Sequence, residues 1–288
     1  MGIVNVTPDS FSDGGRFLRA DAAVAHALAL AGEGADIVDV GGESTRPGAE
    51  PVTVEEELRR VLPVIEGIAE ASASLPTRPQ ISIDTSKAQV AAAALAAGAS
   101  LVNDVSAFRA DPEMAAVVAG AEADCCLMHM LGEPRTMQDD PRYGDVVNEV
   151  REFLQERLAF ALDAGVQRER IMLDPGIGFG KSERHNLELL RRLDELVALG
   201  RPVVIGTSRK GFLGRIVDRE APRAEPAAPA ERLAGTIATN VLALERGARV
   251  FRVHEVAPLR EALAVATATL AGRWTESRGA RTRTTQTS

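Results

Sequence analysis

The sequence predicts an α/β protein, a single-domain (β/α)8 TIM barrel, and three observations carry the prediction. Short apolar runs rich in β-branched residues alternate with longer Ala-, Leu-, Glu- and Arg-rich segments, and the alternation repeats eight times. Three helical segments run into a Gly-Ala pair directly before the next strand, at Gly34-Ala35, Gly98-Ala99 and Gly247-Ala248. Glycine there suits a left-handed helix cap ahead of a short turn. The length, 288 residues, is long for an ordinary domain and normal for one barrel.

The elements follow in order. Gly2–Val6 reads as the first strand, and Ala20–Glu33, ended by Gly34, as its helix. Asp36–Val40 is the second strand, followed by the long amphipathic segment Val54–Ala71. Gln80–Asp84 leads to Ser86–Ala97, Ser100–Asp104 to Pro112–Ala119, and Asp124–His129 to Val146–Ala164. Arg170–Asp174 leads to Glu183–Ala198, and Pro202–Gly206 is the seventh strand. Asp218–Ala230, rich in Pro, Ala and charge, reads as a loop before the helix Glu231–Arg246. Arg249–Val253 is the eighth strand and Pro258–Leu270 the last helix. The barrel domain spans residues 1–271; residues 272–288 are polar, aperiodic and expected to be a disordered tail. An open doubly wound sheet would need a phosphate-binding glycine loop after an early strand, and none stands there.

Composition narrows the partners. Apolar residues make up 45% of the chain and aromatics 3%, so Ala, Val, Leu and Ile must fill the core. A net charge of −8 does not draw nucleic acid or an anionic membrane by bulk charge, so an anionic ligand needs a local basic cluster. The two cysteines, Cys125 and Cys126, are neighbours in an apolar run and read as buried thiols in a reducing compartment. No basic and apolar leader and no apolar stretch of ~20 residues is visible, so the protein is expected to be cytoplasmic, away from membranes.

Barrel enzymes of this type carry their sites where the strands end. The eight strands end at Asn5, Asp39, Asp84, Asn103-Asp104, Met128-His129, Asp174, Gly206 (then Ser208-Arg209-Lys210) and Arg252 to His254. Asp104 and Ser86 read as caps on the elements that follow. Asp84, Asn103 and Asp174 together are different: three such side chains closing apolar strands are costly if buried without partners. A flat heterocycle with donors and acceptors on its edge would satisfy them. Arg46, Arg209, Lys210, Arg252 and His254 gather cations on loops after the second, seventh and eighth strands, as an anion site would. The run Asp174-Pro-Gly-Ile-Gly-Phe-Gly-Lys181-Ser182 is not a nucleotide-binding Walker loop, because Pro175 stands where its first glycine must be. Its glycines suit a rim loop against which a ring can lie. His26 and His185 fall in helical segments and read as surface residues. No HExxH, CxxC or GxSxG pattern occurs.

The segments Asn5–Gly15 (NVTPDSFSDGG) and Asp39–Gly48 (DVGGESTRPG) resemble the two signature segments of the dihydropteroate synthases. The resemblance continues through Ile83–Lys87, Asn103-Asp104-Val105, Met128-His129-Met130, Asp174–Lys181, Ser208-Arg209-Lys210 and Arg252-Val253-His254, from first strand to eighth. It implies condensation of 6-hydroxymethyl-7,8-dihydropterin diphosphate with p-aminobenzoate, with Mg2+ assisting, in a homodimer that sulfonamides target. It implies that Asp84, Asn103, Asp174 and Lys210 hold the pterin, with Met128 and Arg252 against its faces. Asn5, Arg252 and His254 would bind the diphosphate, with Asn5 also near the metal. Ser44, Thr45 and Arg46 would help close the site, and Thr45, Phe179 and Ser208 would contact p-aminobenzoate. Asp84, Lys210, Arg252 and His254 are the catalytic candidates. Two other functions remain open at this point. A pterin-binding methyltransferase would need neither the Asn5–Gly15 loop nor Ser44-Thr45-Arg46; a non-catalytic paralogue would lose such loop residues. The chain departs from the pattern in beginning at Met1 inside the first strand, in Ile177 where Phe is common, and in the Pro-rich segment Asp218–Ala230.

Overall fold

A computed structural model describes residues 1–6, 20–45, 49–73, 75, 77–220 and 227–272. The strands are β1 (Gly2–Asn5), β2 (Ile37–Gly41), β3 (Gln80–Asp84), β4 (Leu101–Asp104), β5 (Asp124–Met128), β6 (Ile171–Asp174), β7 (Val204–Ile205) and β8 (Val250–Phe251). The helices are α1 (Ala20–Gly32), α2 (Val54–Ser72), α3 (Ala88–Ala96), α4 (Met114–Gly120), α5 (Val146–Asp163), α6 (Glu183–Arg191), α7 (Asp194–Val197), α8 (Gly211–Glu220), α9 (Leu233–Glu245) and α10 (Val256–Ala271). All pairings are parallel. β1 to β6 form one ladder in sequence order and β7–β8 a second. Single bridges, Leu173 with Val203 and Gly2 with Val253, join the two ladders into a ring. The joining hydrogen bonds run from Leu173 N to Pro202 O (3.0 Å) and from Ile3 N to Val253 O (3.0 Å). The fold is the expected (β/α)8 barrel.

The ladder register decides what faces the mouth. Asn5 pairs with Gly41, Gly41 with Asp84, and Asp84 with Asn103, so four neighbouring strands end at one level. Side chains alternate along a strand. The residues just before these, Val4, Val40, Ile83 and Val102, are fully buried in the hydrophobic core that packs the helices onto the strands. α2 shows why such a helix forms. Thr53 caps it by accepting from Glu56 N at 3.2 Å, acidic residues fill its first turn, and Val61, Val64, Ile65 and Ile68 bury one face. The glycines expected to cap helices do so: Gly34, Gly98 and Gly247 have φ of 95°, 116° and 100°.

The structure departs from expectation in a few places. β7 and β8 hold only two paired residues each, and Pro202, which lacks a ladder N–H, stands before β7. The segment after Lys210 forms α8, which sequence periodicity does not signal because Gly211 and Gly214 interrupt a short run; buried Phe212 and Leu213 anchor it. The start of the expected Asp218–Ala230 loop therefore belongs to a helix, and its residues 221–226 lie outside the described residues. The expected helix Glu183–Ala198 is two helices, α6 and α7. The tail expected over 272–288 lies outside the described residues beyond Gly272, which caps α10 with φ 58°.

Candidate active site

The mouth of the barrel is organised around one guanidinium. Arg252 donates through Nε to Asp39 Oδ2 at 2.6 Å and through Nη2 to Asp84 Oδ2 at 2.7 Å. Asp39 also accepts from Ser82 Oγ at 2.5 Å and from Asn103 Nδ2 at 3.1 Å, and is fully buried. Residues from β2, β3, β4 and the end of β8 thus meet in one network. Two polar groups removed from water are tolerated only with partners such as these. The Asn103 amide is oriented by it: with its NH2 on Asp39, its carbonyl is the acceptor left for a ligand. Asn5 joins on the other side. A Cβ placed on Gly41 would lie 3.6 Å from Asn5 Oδ1 and 3.7 Å from Asp84 Oδ2, so both oxygens overhang the same glycine.

The opposite wall comes from β5, β6 and the loop after β7. Met128 is the register partner of Asp174. Asp174 accepts from Gly176 N at 2.6 Å through Oδ1. The Lys210 ammonium sits 4.0 Å from the centre of the Phe179 ring, a cation–π contact. The glycine loop is held from below by Lys181, whose Nζ meets His129 Nδ1 at 2.8 Å and Phe179 O at 2.9 Å. Lys181 is 2% exposed. The glycine run before it is the one sequence signal for this role.

Burial and charge set the protonation of these groups. Burial, opposed by Arg252 and reinforced by Asp39, pushes Asp84 up to about 7. Burial also raises Asp174, against its bond from Gly176 and the charge of Lys210. Burial and the charge of Arg252 bring Lys210 down to about 8. Burial lowers Lys181 to about 7 and, with Lys181 beside it, His129 to about 2, so that imidazole is neutral. Arg252 is pulled down by burial, but Asp39 and Asp84 outweigh this and raise it. Arg252 and Lys210 act on Asp174, and Arg252 on Asp84, because these groups stand near one another at the strand ends.

The structure brings Asn5, Asp84, Asn103, Met128, Asp174, Phe179, Lys210 and Arg252 to the same end of the barrel. Ser208 lies 2.9 Å from His254 Nδ1 and accepts from His254 N at 3.2 Å, so it holds that imidazole. Arg209, expected in the cation cluster, is taken by an ion pair with Glu255. Ser44 and Thr45 sit past the end of β2, and Arg46 lies outside the described residues, as do residues 7–19 of the first loop. His26 and His185 are half-buried rather than surface groups; His185 accepts from Ser182 N at 3.2 Å and packs on Tyr143. Asp104 does cap locally, accepting from Ser106 N and Phe108 N. Ser86 caps nothing: Asp111 accepts from the first helical N–H of α3, that of Ala88, at 2.8 Å. Both cysteines are free and buried, and burial pushes the Cys125 thiol up to about 12. The sequence places Asp39 at a strand end, and the structure adds it to the site; a carboxylate within an otherwise apolar strand is its signal.

A barrel whose strand ends and the loop after them gather amide, carboxylate and lysine groups beside a guanidinium has the form of a pterin-binding enzyme. Residues 1–254 match the family model described as pterin binding enzyme. The chain is 46% identical to a dihydropteroate synthase of Synechocystis, over 93% of this chain and 89% of that one. It superposes on a Xanthomonas albilineans dihydropteroate synthase with bound 4-aminobenzoic acid (TM-score 0.84, 49% identity, 94% and 92% of the two chains). It also superposes on a Yersinia pestis dihydropteroate synthase in a sulfonamide complex (TM-score 0.86, 40% identity, 94% of each chain). The chain belongs to the dihydropteroate synthases.

Proposed function

We propose that this mouth joins 6-hydroxymethyl-7,8-dihydropterin diphosphate to p-aminobenzoate, giving dihydropteroate and pyrophosphate for folate biosynthesis, by a dissociative route. The observation that carries the reading is the polarity of the network. Asp84, Asn103 and Asp174 each keep an acceptor oxygen beyond their protein bonds, and Lys210 supplies a cation. A pterin edge carries N–H donors for the three acceptors and ring acceptors for the lysine. Met128 and the flat face of Arg252 line its two sides. Arg252 Nη1 and His254, held by Ser208, meet the diphosphate as the carbon–oxygen bond breaks. The ionised Asp84 and Asp174 steady the pterinylmethyl cation. The arylamine nitrogen then bonds to that carbon, and the proton it loses leaves with solvent. No covalent enzyme nucleophile is used.

A Mg2+ fits the same end. Asn5 Oδ1 is a hard oxygen beside Asp84, and Mg2+ commonly takes one or two protein oxygens and completes its shell with phosphates and water. Asn5 would hold it; once bound, it would neutralise charge on the leaving pyrophosphate. No group of three His, Cys, Asp or Glu among the described residues forms a cage for a metal. Thr45, Phe179 and Ser208 are the residues proposed to meet p-aminobenzoate and its sulfonamide mimics, with Ser44, Thr45 and Arg46 helping to close the site. We carry a homodimer as part of the reading, through the face of α9 and α10 where Leu242, Val265 and Leu270 are exposed, and a cytoplasmic location. No helix among the described residues is long and apolar enough to cross a membrane.

Pyrophosphate release that requires both substrates tests the activity against a methyltransferase or a silent paralogue. Asp84→Asn and Lys210→Ala should each lose most turnover while far-UV circular dichroism stays native. Near-normal rates in both would overturn the role assignment. Light scattering of the purified chain decides the dimer, and a metal titration monitored by pyrophosphate release decides Mg2+.

A further inference from the structure

We propose that Lys87 is a positioning residue for the loop between β2 and α2: by bridging Glu43 and Glu57 it sets where Ser44 and Thr45 stand, and so the affinity for p-aminobenzoate. The proposal rests on the reading that this loop meets p-aminobenzoate.

The loop is tied at both stems. Glu43 Oε1 accepts from Val52 N at 3.0 Å, reaching from its first residues to its last. Its other oxygen, Oε2, takes the Lys87 ammonium, which also donates to Glu57 Oε2 at 2.5 Å. Arg60 of α2 adds a bond from Nη1 to Gly42 O at 2.9 Å. Lys87 itself stands three residues past Asp84, at the start of α3. One ammonium thus connects the strand that carries the pterin-binding aspartate to the loop beside it and to the helix behind. Burial works against its charge, but the bonds to Glu43 and Glu57 outweigh this and keep it protonated.

Stability alone is a poor account of the arrangement. Glu57 is fully buried, and its Oε1 has no hydrogen-bond partner. Two carboxylates share one ammonium, and apolar residues of similar size often do better in such a place. What an apolar pair would not do is fix the loop stem in one direction. Small displacements of a positioning group are expensive in an enzyme.

The test uses the full chain. With pyrophosphate release as the assay, Lys87→Gln should raise KM for p-aminobenzoate about tenfold, on the scale that small misplacements produce, and change KM for the pterin diphosphate less than about twofold. Lys87→Arg, which can reach both glutamates, should restore most of the loss. In hydrogen–deuterium exchange the Val52 amide should exchange faster in Lys87→Gln, while amides of β4 keep their protection. Unchanged KM for p-aminobenzoate, or equal rises in both KM values, would overturn the proposal and leave a structural pin. Should Lys87→Gln fail to fold, Glu43→Gln takes its place; it retains an acceptor for Val52 and drops the ion pair, and the same outcomes apply. If the unaltered enzyme releases no pyrophosphate, the functional reading fails, and the claim about p-aminobenzoate with it. An unchanged Val52 exchange rate in the variants would refute the clamp by itself.

Discussion

Two carboxylates share one guanidinium at the centre of the mouth, and they do different work. Asp39 is fully enclosed and occupied by Ser82, Asn103 and Arg252. Asp39→Asn would set an amide NH2 against one of those donors and leave Arg252 short of charge. We expect it to cost about 3–5 kcal/mol, the range for breaking a buried pair, read as a lower urea midpoint. Asp84 borders the cavity, and Asn there can still accept from Arg252. Its carboxyl is raised from 3.8 to about 7 by burial. A carboxyl raised on folding adds stability below its unfolded pKa, and that contribution disappears as pH rises through the folded one. The ligand-free enzyme should therefore be less stable at pH 8 than Asp84→Asn, although the variant loses turnover; a lower melting temperature for the variant at pH 8 would contradict this. The same groups shape the rate. Asp84 is a full anion only above about 7, and Lys210 is a cation only below about 8. So kcat/KM should follow a bell with its limbs near those two values, and Lys210→Arg should move the alkaline limb upward.

At the scale of elements, the glycine loop after β6 is the most demanding segment. Gly176 has φ of 65°, and a Cβ on it would fall 1.9 Å from the carbonyl oxygen of His129. Gly176→Ala must push this loop away from β5 and break the bond to Asp174, so turnover should fall far more than with Gly144→Ala, whose added Cβ meets nothing closer than 3.6 Å. Parallel steady-state assays of the two variants check this. The elements themselves were legible where pattern and packing agree. β3 was read to the residue, because Gln80–Asp84 alternates cleanly and ends in turn-forming Thr and Ser. α8 was not, because its helical character depends on Phe212 and Leu213 finding the barrel wall, which no local propensity announces. The mouth was legible as residue types at strand ends. Its wiring was not: that Ser208 serves His254, that Arg209 turns to Glu255, and that Lys181 lies beneath the loop all depend on contacts between residues 46 to 52 positions apart along the chain.

The whole molecule is one closed ring. β1 is gripped by β8 through Ile3 N to Val253 O and Val253 N to Met1 O, so the first and last strands close the same sheet. The proposed pterin site draws on β3, β4, β6 and the loops after β7 and β8, and the network from Asp39 to Arg252 crosses the ring rather than following it. A ligand seated there touches parts of the sheet far apart in sequence, and no part can open without losing it. Binding to the native state alone stabilises by RT ln(1 + [L]/Kd), about 2.7 kcal/mol at a hundredfold excess over Kd. For a barrel of this size that should lift the melting temperature by about 5–10 °C. A pterin without the diphosphate tests the ring contacts alone. It should shift one cooperative transition as a whole, and Asp174→Ala should abolish the shift while keeping the single transition. Two separate transitions, only one of them moved by pterin, would mean that the ring is not a single cooperative unit.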